Sequence, residues 1–239
     1  MSKTAKLKST FSDWISMMPY ANADTVHVAI DNLLAKVAKN PQHTLALASM
    51  AEEYAYSDTS ELRSAEIFLP FAKAVVANKK ISQSDKNHYA SMIQILENTQ
   101  LNKPVRHLEF TTVDGSTRKL DNYRTQMILV VFSDGDCIDC SFTRARLSSN
   151  PNINTLLERG LLTLIYINPV KPDNSWLQTA ASYPANWVVG AMPDANKWFE
   201  IKNDPTILLL DGRHKLLAKD FTLEGLTEVM NGLRRQMGL

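Results

Sequence analysis

At 239 residues, 44% of them apolar and 21% charged, the chain has the composition of ordinary globular domains and enough length for two cores. The formal net charge is +1 with no block of like charge, so nothing points to electrostatic capture of nucleic acid or of an anionic membrane. The longest apolar runs fall far short of the roughly 20 residues of a membrane-spanning helix, and no apolar stretch of a secretory leader follows the basic start Met1 to Lys8.

Residues 1–103 contain no glycine and read as helix throughout. Asp24 is placed to cap a helix whose Val26, Ile30, Leu33, Leu34 and Val37 share one face. Asn40-Pro41 predicts a cap followed by proline at the first helical position, opening a helix through Leu45, Leu47, Met50 and Tyr54. A third helix is expected from about 60 to 78 through Leu62, Ile67, Leu69, Phe71 and Val75, with a kink at Pro70. Ser82, with Asp85 three positions on, predicts the start of a fourth through Tyr89, Met92, Ile95 and Leu96. The short loops imply antiparallel neighbours in an all-α helical bundle. Met17, Met18, Met50 and Met92 read as core, with a partner-binding groove as the alternative.

Lys103-Pro104 marks the expected boundary between a helical domain, 1–103, and a second domain, 104–239, where the periodicity becomes strand-like. Leu108 to Val113, the Asp114-Gly115 turn and Ser116 to Leu120 predict a β-hairpin. The apolar run 127–132 predicts a buried strand, and Ser141 to Ser149 a helix. After a short helix near 152–159 ending at Gly160, Leu161 to Ile167 predicts a second buried strand. Strand–helix–strand of this length is a right-handed unit with a parallel pair. Further expectations are a helix over about 173–182, a short strand at Trp187-Val188-Val189, a short helix over 194–201 and a strand at 206–210. Asp211-Gly212 then turns the chain into 215–218, and a closing helix covers 222–236. The sheet is expected to be mixed, parallel in its first part and antiparallel at its end.

Both cysteines of the chain lie in Cys137-Ile138-Asp139-Cys140, between the strand and its helix. Free N–H groups and the helix dipole favour a thiolate there. Two sulfurs one helical turn apart can also close into a disulfide and reopen, so the pattern points to thiol–disulfide exchange. A zinc site would need four ligands, yet there is no second Cys-x-x-Cys, and the five histidines are scattered. No metal or cofactor is expected. An inert structural disulfide and a pair of buried reduced cysteines stay open as alternatives.

The order of hairpin, apolar strand, Cys137-x-x-Cys140, helix, strand, insert, Asp204-Pro205-Thr206, hairpin and last helix resembles the thioredoxin fold. It is similar in particular to the TlpA/ResA-type envelope thiol–disulfide oxidoreductases. Tyr183-Pro184 and Trp187-Val188-Val189 match a passage of that family's insert, and the whole chain resembles helical-domain fusions of Bacteroides-type bacteria. The resemblance implies an α/β thioredoxin-like domain, a mixed central sheet flanked by helices, preceded by the helical bundle. It implies Cys137 as nucleophile, Cys140 as resolving cysteine, and Pro205 as a cis-proline that, with Asp204 and Asp136, borders an extended substrate. The implied partners are protein disulfides and an electron-donor thiol protein, and the implied location is the cell envelope or periplasm, with the cytoplasm as the alternative.

Three departures qualify the likeness. Asp136 stands where the family often has tryptophan, Ile138-Asp139 lacks a proline, and Val131 replaces the buried acid of thioredoxins. A proton acceptor for Cys140 is not identifiable: Asp134, Asp136 and Asp139 are the candidates, but such loop acids are more often simply solvated. A non-catalytic scaffold with a vestigial dithiol is the rival function, and peroxidase chemistry is disfavoured because Thr143 and Arg144 follow Cys140. Trp176, Trp187 and Trp198 line either a substrate surface or the local core of the insert.

Overall fold

The computed structural model describes residues 3–57, 60–133, 138–201, 205–219, 223–236 and 238, and the chain divides into two compact units, Met1–Leu96 and Glu97–Leu239. Helices α1 (Lys3–Ser16), α2 (Ala23–Val37), α3 (Pro41–Ala51), α4 (Ala65–Ala77) and α5 (Gln83–Asn98) account for the first. Their starts follow capping chemistry. The Asn40 side chain accepts from the N–H groups of Gln42 and His43 with Pro41 next, and Ser82 Oγ accepts from the Asp85 N–H while donating to Asp85 Oδ2.

Two expectations need correction here. Asn22, not Asp24, caps α2. The Asn22 side chain accepts from the Asp24 N–H, and Asp24 sits inside the first turn, where the dipole favours its charge. The third helix starts at Ala65 rather than near 60, because Ser64 caps it and Ser60 holds the preceding residues in a turn. Ser60 Oγ accepts from the Leu62 and Arg63 N–H groups and donates to the Tyr54 carbonyl. The α4 helix runs on through Pro70. Between α3 and this turn, Glu52–Tyr56 widens into one π-helical turn. The stripe of α2 meets Phe68, Phe71 and Val75 in a core that also takes Met18 and Met50 and packs Met92 against its rim, whereas Met17, expected in that core, is 61% exposed.

The second unit is built on strands β1 (Glu109–Thr112), β2 (Thr117–Lys119), β3 (Met127–Phe132), β4 (Leu162–Asn168), β5 (Val188–Ala191), β6 (Thr206–Asp211) and β7 (Leu216–Lys219). Among the described residues they form one sheet in the order β2-β1-β5-β4-β3-β6-β7. The parallel strands β3, β4 and β5 lie in the middle, and antiparallel pairs flank them on both sides. The expected sequence of parallel then antiparallel is thus corrected: the N-terminal hairpin adds to β5 from the far edge. Gly190 permits that addition, since a β-carbon there would lie 2.5 Å from Phe110 Cδ2 and 2.7 Å from the Thr111 carbonyl oxygen.

Every residue of β3 is buried, as expected for a central strand covered on both faces. Met127, Leu129 and Val131 face a core closed by α6 (Ile138–Ser149), α7 (Pro151–Glu158), α8 (Asn174–Ala180) and α9 (Leu223–Gln236). Ile128, Val130 and Phe132 face a second core, closed by Val105, Leu108, Leu120 and Phe199. The helix expected over 194–201 shortens to one 3-10 turn, Ala195–Lys197. The segment after α5 is stitched to β7. Asn102 N–H donates to the Leu216 carbonyl at 2.8 Å, and Leu216 N–H donates back to Lys103 at 2.9 Å.

Candidate functional site

The site grows from the carboxyl end of β3. That strand is parallel to β4 through Phe132↔Ile167 and antiparallel to β6 through Phe132↔Thr206. The chain leaving β3 and the chain entering β6 therefore meet at one end of the sheet, where parallel strands of α/β folds present their binding crevice. Pro205, half-buried in a bend directly before Thr206, lies at that end, and α6 begins there.

Cys140 occupies the first turn of α6, is 1% exposed and is disulfide-bonded. Its helical neighbour Thr143 is also buried, at 2% exposure, so this face of α6 points into the protein. Cys137, Asp136, Asp134 and Asp204 lie outside the described residues, as does the side chain of Asp139. Of the expected site residues, the described ones are Cys140 and Pro205, which the topology brings to the same end of the sheet.

Val131 is fully buried and pairs with Tyr166 on one side and Ile207 on the other. No carboxylate occupies that strand position beneath the dithiol helix. The flanks of α6 are polar and aromatic. The Arg144 guanidinium lies 4.9 Å from the centre of the Tyr183 ring, and that of Arg146 lies 5.2 Å from the Phe142 ring. Arg146 Nη1 also donates to Glu224 Oε1 at 2.7 Å, and this hydrogen bond holds the Glu224 carboxyl below the ordinary range. Phe142 remains 57% exposed, an apolar surface one helical turn from the start of α6.

These contacts of Arg144 and Arg146 escaped the sequence reading. Tyr183 and Glu224 lie dozens of positions downstream, and no local spacing links them to α6. The tryptophans resolve toward the core. Trp176 and Trp187 are buried in the helix-covered core, with Trp187 stacked on Tyr166 at 5.7 Å, and Trp198 stacks on His107 at 3.8 Å. Among the described residues no three His, Cys, Asp or Glu side chains are grouped to hold a metal ion, and no helix is long and apolar enough to cross a membrane.

A mixed sheet with this strand order, and a Cys-bearing helix leaving the carboxyl end of its central strand, defines a thioredoxin-like fold preceded by a helical domain. Two solved structures share this fold. A thioredoxin-like protein from Bacteroides caccae superposes with a TM-score of 0.76 at 18% identity, over 97% of this chain and 85% of that one. The C-terminal domain of an uncharacterized protein from Bacteroides fragilis matches with a TM-score of 0.53 at 20% identity, over 56% of this chain and 99% of that one. The thioredoxin domain of a thiol-disulfide oxidoreductase from Bacteroides vulgatus reaches a TM-score of 0.48 at 18% identity, over 56% of this chain and 97% of that one. Residues 1–99 match the family model of a domain of unknown function, DUF5106. No curated protein sequence matches the chain.

Proposed function

We propose that the protein is a thiol–disulfide oxidoreductase that reduces protein disulfides through Cys137 and Cys140. The observation that carries this reading is Cys140 itself, disulfide-bonded in the first turn of a helix that starts at the carboxyl end of a parallel strand. In the proposed cycle the Cys137 thiolate attacks a substrate disulfide. A Cys137–substrate S–S bond forms, the substrate S–S bond breaks, and one substrate sulfur leaves as a thiolate. The Cys140 thiolate then attacks Cys137 Sγ, releasing the second substrate thiolate and leaving the Cys137–Cys140 disulfide. Two electrons have passed to the substrate, and an electron-donor thiol protein restores the dithiol. Pro205, Asp204 and Asp136 border the extended substrate in this reading, and the cell envelope is its location.

The direction of electron flow follows from charges near Cys137. A helix N-terminus favours its thiolate by about 0.3–1 kcal/mol. A carboxylate about 6 Å away in water opposes it by about 0.7 kcal/mol. Asp136 and Asp139 together offset the dipole, so the reduced state is not strongly stabilised and the pair acts as a reductant. The midpoint potential is expected nearer about −270 mV than −120 mV.

Insulin reduction by dithiothreitol tests the function. The protein is expected to accelerate it, Cys137→Ser to abolish the acceleration, and Cys140→Ser to accumulate a mixed disulfide. A wild-type protein with no acceleration and a Cys140→Ser variant with no adduct would identify a scaffold instead.

A further inference from the structure

The end of the sheet opposite Cys140 carries a groove of about 810 Å³ lined by Arg106, His107, Lys119, Arg124, Arg213 and His214. Arg124 precedes Met127 and Arg213 follows Asp211, and Met127 and Asp211 are partners at the amino end of β3. A six-residue strand, about 17 Å, separates this end from the dithiol helix. The groove is a separate feature.

Its charge is unbalanced. Two acids also line it, and both are engaged: Glu109 pairs with Lys119 at 3.0 Å, and Asp121 lies 3.4 Å from both Arg124 and His214. Among the described residues, Arg106 and Arg213 have no acidic partner. Arg124 is held by two neighbours: its Nη1 lies 2.7 Å from Nε2 of His214, whose side chain is 8% exposed, and its Nη2 lies 3.4 Å from Asp121 Oδ1. A guanidinium fixed in this way is preorganised for bidentate contact with a phosphate.

The groove also has a flat wall. The His107 ring stacks on Trp198 at 3.8 Å with the planes 15° apart, so tryptophan covers one of its faces, and His107 itself is exposed and borders the groove. Both groove histidines stand on left-handed backbone, His107 at φ 59° and His214 at φ 64°. The volume lies in the range of single small-ligand sites, about 300–1,000 Å³. An aromatic face beside unpaired arginines fits a planar ring that carries phosphate.

We propose that this groove binds a nucleoside phosphate, its base against His107 and its phosphates between Arg106, Arg213 and the fixed Arg124. The proposal is independent of the redox reading, and its test uses no redox readout. Calorimetric titration of the full chain with ATP, inorganic pyrophosphate and adenosine at low salt is expected to rank them in that order. Pyrophosphate should bind about tenfold or more weaker than ATP, because it lacks the stacking ring. The double variant Arg106→Ala/Arg213→Ala changes only exposed side chains, so its fold is retained, and it is expected to lose about tenfold or more in ATP affinity. His107→Ala should bring ATP down to the affinity of pyrophosphate. Absence of ATP binding at millimolar concentration, equal affinity for ATP and pyrophosphate, or an unchanged double variant would each overturn the proposal.

Discussion

Asp114 sets the turn of the first hairpin with one carboxylate. Its Oδ1 accepts from Thr112 Oγ1 at 2.6 Å and from the Ser116 N–H at 3.0 Å, and Gly115 follows at φ 83°. The Thr112 hydroxyl is the main reason that the Asp114 pKa falls to about 2, with the Ser116 N–H next. Because the folded value is the lower one, this contribution is complete above the ordinary carboxylate range. It disappears as pH falls toward about 2. A carboxyl-detected NMR titration is expected to place the Asp114 midpoint near 2, and Thr112→Val to raise it. A wild-type midpoint at the ordinary value of about 3.9 would show that the turn does not hold these bonds in solution.

At the scale of elements, the meeting of β1 and β5 depends on the missing side chain of Gly190. A β-carbon would meet the Phe110 ring and the Thr111 backbone, and the backbone cannot swing aside. Gly190→Ala is therefore expected to cost about 1–3 kcal/mol, read as a lower urea midpoint. An unchanged midpoint would mean that β1 adjusts freely. The hairpin itself was legible beforehand from Asp114-Gly115 between alternating segments, and so were the caps at Asn40 and Ser82. Which strand receives the hairpin was not, because Thr111↔Ala191 joins residues 80 positions apart. The cap of α2, read at Asp24 and found at Asn22, was missed for a local reason. Both are good capping residues, and the choice rests on backbone angles, not composition.

At the scale of the whole molecule, cohesion among the described residues comes from three apolar clusters, one in the helical unit and one on each face of the sheet. The short loop that the proposed Cys137–Cys140 bond would close contributes only about 2 kcal/mol of chain entropy. Reduction with dithiothreitol is accordingly expected to lower the thermal midpoint by a few degrees and to leave unfolding cooperative. Loss of cooperative unfolding on reduction would instead assign the disulfide a structural role. The amino-acid sequence by itself determined most of the helices, the caps at Asn40 and Ser82, the buried strands, the turns and the position of Cys140 at the start of a helix, because each is encoded within a few residues by periodicity, hydrogen-bonding side chains and backbone preference. Only the tertiary structure decided the strand order, the burial of Cys140, the contacts of Arg144 and Arg146 on α6 and the convergence of arginines and histidines at the far end of the sheet. Those depend on pairs such as Arg146 with Glu224, 78 positions apart, and Arg124 with His214, 90 apart. Such contacts arise from packing of whole elements, which no local pattern specifies.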